Sequence, residues 1–333
     1  MTKSWRFIVL TLGALGVLGM ALAAAGLNPA MTAGAIVQGS VGSAAGWRET
    51  LKEMTPLLLA GLAVFVGLRA GLFNIGAEGQ ILTGALASAA VAQVVQGPPG
   101  IVLATLAAGI AGAAWATPAA LIKVYRGGHE VITTIMLNSI AALGCTAMVK
   151  GPLRDPAQQS ATTALIDPSL FLPNLIHQGS FRLNLAWLMA ILAVAVFAVW
   201  YRRSVGGYEL AAVGASPEAA LAAGINVRRT QIVAMAWSGG LAGLAGALLV
   251  LGHEHRFYAD FSSGYGFDAL GVALLAGHSV PAITIGAFVF AVISRGVSSV
   301  TGISRGLTGI VLGLLILVFA AWQSRRKKEG EVQ

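Results

Sequence analysis

Charge is what this chain has least of. Only 10% of its 333 residues are Asp, Glu, Lys or Arg, against about 25% in a typical soluble domain, and a water-soluble globule is excluded on that count. A single cysteine, Cys145, rules out an internal disulfide framework, and neither a second thiol nor a metal-ligand spacing surrounds it. No Gly-Lys pair occurs anywhere, so the chain carries no Walker loop for ATP. Its 43 glycines follow no three-residue period, which excludes collagen, and 56% hydrophobic residues exclude intrinsic disorder. What remains is a bilayer protein, with a mean hydropathy of +0.79. The net charge of +8 comes without a basic cluster interleaved with aromatics, so nucleic acid is not an expected partner.

A crossing helix needs roughly 20 apolar residues. Runs of that kind fall at about 5–27, 55–75, 76–95, 101–122, 131–149, 183–201, 230–252, 266–278, 281–300 and 306–322, giving ten candidate crossings and an all-α polytopic fold over residues 1–333 with no soluble domain. With the N terminus in the cytoplasm, thirteen of the 21 Lys and Arg fall inside, including Arg202, Arg203, Arg228 and Arg229 and the run Arg325 to Lys328. That bias fits the positive-inside rule with both termini cytoplasmic. Two runs are weak, the short 266–278 and the stretch that breaks at 71–76, and both are expected as broken or partly re-entrant helices. Lys3, Arg6, an apolar core and Ala21-Leu22-Ala23 also imitate a cleavable leader, although the run continues to Leu27 and is long enough to span. Residues 150–182 form the longest outside loop, rich in Pro, Ser, Thr and Gln and able to carry a short surface helix.

The inside segment 202–229 contains a complete short helix. Ser216 caps it, Pro217 suits its first position, Glu218 faces the positive end of its dipole, Ala219 and Ala220 follow, and Gly224 supplies a left-handed stop. Two turns are marginal in isolation. The residues leave two readings open, a docking element for a cytoplasmic partner or a capped connector on the membrane surface.

The stretch from Arg69 to Gln80, with Phe73, Asn74 and Glu78 inside it, sets a cation, two amides and a carboxylate in an apolar region. Ionisable groups at membrane depth usually face a bundle interior or a water-filled path. Glycines flanking Asn74 allow the helix to unwind where it lines a cavity, while the plainer alternative is interhelical hydrogen bonding. A looser counterpart, Gly264-Tyr265-Gly266-Phe267-Asp268, opens the short run 266–278, and such a pair points to a site between inverted repeats. Thr134 and Asn138, four apart, share a helix face. Aromatic rings with amides suit a flat polar solute or a sugar better than an inorganic ion. His253-Glu254-His255 offers no i, i+4 ligand pair, and no metal is expected. Trp237-Ser238-Gly239-Gly240 holds a serine with no identifiable His or Asp partner, so the chain is not read as an enzyme.

These residues resemble the membrane permease subunits of bacterial ABC importers of the branched-chain amino acid and ribose permease superfamily, nearest the nucleoside and simple-sugar branch. The landmarks are GLFNIGAEGQ (71–80), EVITTIMLN (130–138), GPLRDP (151–156), YELAAVGASPEAALAAGINVRR (208–229, which includes Glu209) and GYGF (264–267), in that order along nearly the whole chain. The resemblance implies that Glu209 and Ser216 to Gly224 form the coupling segment that docks on a cytoplasmic ABC ATPase. It further implies a second permease, related but different, an extracytoplasmic substrate-binding lipoprotein, and a place in the bacterial inner membrane. ATP and Mg would be bound by the partner, with no cofactor on this chain. Nucleosides are the expected solute and simple sugars the alternative; an ion-gradient-driven transporter is the reading from another class. One departure from the family is the turn at Ala276-Gly277-His278, which has no Lys or Arg where relatives often carry one.

Overall fold

The computed structural model describes residues 28–300 together with Gly313. The expected crossings at 5–27 and 306–322 lie, apart from Gly313, outside the described residues. Helices α1 (Pro29–Val41), α2 (Ala44–Arg69), α3 (Ala77–Ala92), α4 (Gly97–Arg126) and α5 (Glu130–Lys150) come first. An irregular loop leads to a hairpin of β1 (Asn174–Gln178) and β2 (Phe181–Asn184), and then to α6 (Leu185–Arg203), α7 (Val205–Ala215) and α8 (Pro217–Ala222). The helix α9 (Val227–Leu249) runs on through a π turn to Glu254, and α10 (Tyr265–Ala276) and α11 (Ala282–Ser299) follow. Among the described residues, six helices are long and apolar enough to span: α2, α4, α5, α6, α9 with its π turn, and α11.

Burial sorts these into centre and rim. Of the most apolar stretch, 78% is buried in α2 and 67% in α9, against 28% in α4 and 22% in each of α5 and α6. The first two are therefore the core, and the others turn Leu106, Ile110, Met136, Leu143, Leu192 and Val196 outward, where lipid or another chain can cover them. Without a hydrophobic drive between helices in lipid, close backbone approach supplies the packing. A Cβ on Gly112 of α4 would stand 2.2 Å from the Gly239 oxygen of α9, and one on Gly84 of α3 would stand 2.4 Å from the Gly243 Cα.

The two ends of α2 mark the two ends of the bundle. At the first, Lys52 pairs with Glu254 at 3.0 Å, and a polar cleft is framed by Arg48, Glu49, Arg182 of the hairpin and His253. At the second, Arg69 meets Tyr201 of α6, with α7 packed beside it. Residues assigned from the sequence to opposite sides thus fall at opposite ends.

Three expectations change. Helix α2 starts at Ala44, well before the apolar run at 55, because Lys52 and Glu53 are inside it and each has a partner, Glu254 for the first and Tyr265 for the second. Helix α3, expected as a full crossing over 76–95, has only 16 residues; α10 has 12 residues and spans only about 18 Å, in keeping with the short run expected at 266–278. The 150–182 loop holds a single 3-10 turn (Pro168–Leu170) and leads into the hairpin, a small departure from an all-α fold. Every residue of β1 is exposed, so no apolar alternation betrayed it, and Gly179 turns the hairpin at φ 57°.

Candidate functional site

Two breaks build the site. The first follows α2, where Gly71 at φ 73° turns the chain back and the Leu72 N–H closes on the Gly67 carbonyl at 2.9 Å. The chain then climbs beside α2 until α3 begins with Glu78 in its first turn. In the second, the chain leaves the π turn at His255, dips back as an irregular segment, turns at Gly264 (φ 98°) and starts α10. That irregular segment is stitched to the outer loop by Thr163 N–H to Phe257 O (2.8 Å) and Ala259 N–H to Ala161 O (3.0 Å). A long helix, a glycine-bearing break and a half helix therefore occur twice, in opposite senses.

The two half helices meet end to end. The Gly266 N–H, in the first turn of α10, donates to Glu78 Oε2 at 2.7 Å, and a Cβ on Gly266 would stand 2.1 Å from the Glu78 nitrogen. Each helix N-terminus carries roughly half a positive charge, so a carboxylate between two of them is where the chain's own dipoles favour it.

Around this junction the polar residues divide into two groups. Asn74 is fully buried and its side chain is saturated: Nδ2 donates to Gln80 Oε1 (2.9 Å) and Ser238 Oγ (2.8 Å), and Oδ1 accepts from Gly76 N (2.9 Å) and Gln80 Nε2 (3.0 Å). The Ser238 hydroxyl in turn donates a hydrogen bond to the Ala63 carbonyl, tying α9 to α2. Thr134 is buried and bonds back to Glu130 O at 2.8 Å. Asn74, Gln80 and Thr134 thus fasten the break rather than face open space. Asn138, in the second group, borders the cleft and ties α5 to the first break and α3, since Oδ1 accepts from Gly79 N and Nδ2 donates to Ile75 O, both at 2.9 Å.

Beside the junction lies a cleft of about 240 Å³ walled by Glu78, Asn138 and Phe267, by Ser139, Cys145 and Thr146 of α5, and by Phe257, Asp260 and Ser262 of the irregular segment. Glu78, Asn138 and Phe267 were expected from the sequence. Phe73, 39% exposed, lies in the first break and outside this cleft; Tyr265 donates to Glu53 Oε2 at 2.8 Å; Asp268, half-buried, is in the first turn of α10 but not among the residues that line the cleft. Sequence reading missed Ser139, Cys145 and Thr146, although they extend the helical face that Asn138 already occupies. It also missed Asp260 and Ser262, which no periodicity marks. No Lys or Arg stands among the lining residues. Among the described residues no group of His, Cys, Asp and Glu is arranged to hold a metal.

At the second end, α7 and α8 form a helix pair. Ser204, Ser216 and Asn226 cap α7, α8 and α9 in turn. The Ile225 N–H bonds the Ala220 carbonyl at 3.0 Å with Gly224 left-handed at φ 82°, which closes α8 as a Schellman turn. Val213, Ala220 and Ile225 pack into a small cluster of their own, so the alanine face expected to need an outside partner is partly used to fasten α8 to α7. Pro217, Glu218, Ala219, Leu221 and Gly224 remain exposed, Leu221 at 66%, and Glu209 lies half-buried on α7.

The profile of the family described as branched-chain amino acid transport system / permease component matches residues 48–320. The chain is 35% identical to the glucose ABC transporter permease protein TsgB13 of Haloferax volcanii, over 93% of this chain and 85% of that one. It is 33% identical to the guanosine ABC transporter permease protein NupP of Bacillus subtilis, over 86% of this chain and 84% of that one. The nucleoside ABC transporter permease protein NupB of Lactococcus lactis is 32% identical over 89% and 84%. No solved structure matches the chain. With several apolar helices, paired breaks and these relatives, the chain is an integral membrane protein of the branched-chain amino acid transport permease family, in the branch that holds nucleoside and sugar ABC permeases, and a transport subunit rather than an enzyme.

Proposed function

We propose that this permease carries a nucleoside inward through the cleft beside the Glu78–Gly266 junction, driven by ATP hydrolysis on a partner that docks on α8. The carrying observation is the chemistry of the cleft. Two carboxylates, an amide, three hydroxyls and two phenyl rings line it without a cation. Such a wall offers acceptors and an aromatic platform to a neutral solute with several donors, and repels phosphorylated forms. A sugar is the second reading, favoured by the glucose permease among the relatives. Ten crossings with both termini and the α7–α8 end in the cytoplasm, a second and different permease chain, and an extracytoplasmic binding lipoprotein complete the proposal. Glu209 and the exposed face from Pro217 to Gly224 are the surface offered to the ATPase. Glu78, Asn138, Phe267 and their cleft neighbours touch the solute, with Phe73, Asn74, Gln80, Thr134, Tyr265 and Asp268 supporting the path around them.

Two measurements test this. A tagged native chain in mild detergent is expected to bring down an ABC ATPase, and the double variant Glu218→Lys, Gly224→Trp to lose at least about tenfold of it, since disruption at an interface hot spot costs about 2 kcal/mol or more and about 1.4 kcal/mol is already tenfold. A well-folded native chain that recovers no ATPase overturns the docking assignment. The solute is read through Cys145, the only thiol of the chain and part of the cleft wall. Guanosine should slow its modification by a small methanethiosulfonate; protection by glucose instead would transfer the assignment to sugars.

A further inference from the structure

Three elements converge on Arg69, the last residue of α2. Its Nε donates to the Tyr201 hydroxyl near the end of α6 at 2.6 Å, and its guanidinium lies over the Tyr201 ring, 5.6 Å from the centroid. Its Nη1 contacts Nδ1 of His278, just beyond α10; a guanidinium has only donors, so that ring nitrogen is the acceptor. Its backbone lies against α7, where a Cβ on Gly214 would stand 2.1 Å from the Arg69 oxygen, 2.8 Å from its carbonyl carbon and 3.3 Å from the Gly71 nitrogen. Arg69 also supplies a cation beside the turn at 276–278, which has no Lys or Arg of its own.

These contacts join two stiff bodies. On one side α8 is fastened to α7 through Val213, Ala220 and Ile225. On the other, the break beginning at Ala70 leads within a few residues to saturated Asn74 and to Glu78. Between them is backbone against backbone at Gly214, with no side chain to yield and absorb displacement. His278 adds the far end of α10, the half helix whose first turn donates to Glu78. A shift of α7 is thus felt at the entry to the first half helix and at the exit of the second.

We propose that Arg69 is the positioning residue that passes movement of the α7–α8 pair to the half-helix junction, with Gly214 as its bearing surface. This deepens the importer reading and rests on it. A plain structural role for Arg69, tying three helices together, would lower the yield or melting temperature of the complex without altering how much solute moves per ATP.

The test uses the permease complex purified with its ATPase, reconstituted in proteoliposomes with its binding protein and radiolabelled guanosine or glucose. Native protein is compared with Arg69→Lys, Tyr201→Phe and Gly214→Ala for recovered ATPase, basal hydrolysis, melting temperature and solute taken up per ATP. Tyr201→Phe removes one hydroxyl and keeps the ring, so it stays measurable if another variant fails to assemble. Expected are native ATPase recovery and basal hydrolysis, with uptake per ATP lowered about fivefold or more, the range of coupling energies carried by packed networks. Combining Arg69→Lys with Tyr201→Phe should add little to the larger single effect, because the two residues share one contact. Unchanged uptake per ATP in Tyr201→Phe, or loss of uptake only in step with loss of assembled complex, overturns the proposal while the importer reading stands. If the native chain shows no ATP-dependent uptake of either solute, the importer reading fails and the proposal with it.

Discussion

Gly266→Val is expected to abolish uptake while leaving recovery of the ATPase intact. The new Cβ would stand 2.1 Å from the Glu78 nitrogen, 2.4 Å from its Cα and 2.7 Å from the Ala77 carbonyl carbon. All three are backbone atoms of a helix start, so none can rotate aside. The half helices must separate, and the Gly266 N–H loses Glu78 Oε2. Overpacking of this kind costs about 1–3 kcal/mol, sometimes more, and a buried carboxylate deprived of a charge-assisted hydrogen bond adds about 1.5–3 kcal/mol. The α7–α8 surface lies at the other end of α10 from this clash, so docking should survive. Uptake by proteoliposomes and ATPase recovery from the same preparation decide it: uptake above about a tenth of native, a deficit of less than 1.4 kcal/mol, would mean that the junction is not on the path.

Asn74→Ala should act differently, by lowering the amount of folded protein rather than the affinity for solute. Asn74 makes four side-chain hydrogen bonds in full burial. Its removal strands the Gln80 amide and the Gly76 N–H, with Gln80 itself 1% exposed. Interhelical hydrogen bonds within membranes average about 0.6 kcal/mol, but an unpaired buried group costs about 1–3 kcal/mol, so a total on the order of 3 kcal/mol is expected. Thermal unfolding in detergent should show a clearly lowered midpoint, and the surviving fraction should retain the native KM for uptake. A raised KM at unchanged stability would instead put the Asn74 amide in contact with solute.

The contrast between these two positions shows what the sequence could and could not disclose. Composition and the charge bias were enough for a multi-span membrane fold, because the cost of charge in lipid is written in the residues themselves. The breaks at 71–76 and 264–266 were legible from glycine beside polar groups. What was hidden was direction. From one dimension Asn74, Glu78 and Gln80 look alike, yet Asn74 and Gln80 point at each other and Glu78 points at the start of another helix. Asp260 and Ser262 sit in a segment with no period, brought to the cleft by pairing with residues 161–163, a long-range contact that no local pattern announces. Lys52 and Glu53 misled in the opposite sense, since charge ended the apolar run while the helix continued through paired side chains.

The end-to-end meeting of α3 and α10 also constrains the order in which the protein can be made. A 12-residue helix is too short to be held in a bilayer by its own hydrophobicity, so α10 can settle only against the helices it packs on, α2, α3 and the following α11. Until then the carboxylate of Glu78 waits in the membrane without the Gly266 N–H. A nascent chain stopped before Tyr265 would thus be inserted yet unfinished, with the Glu78 carboxylate uncovered, which makes the last fifth of synthesis the step at which quality control can tell a completed permease from a stalled one.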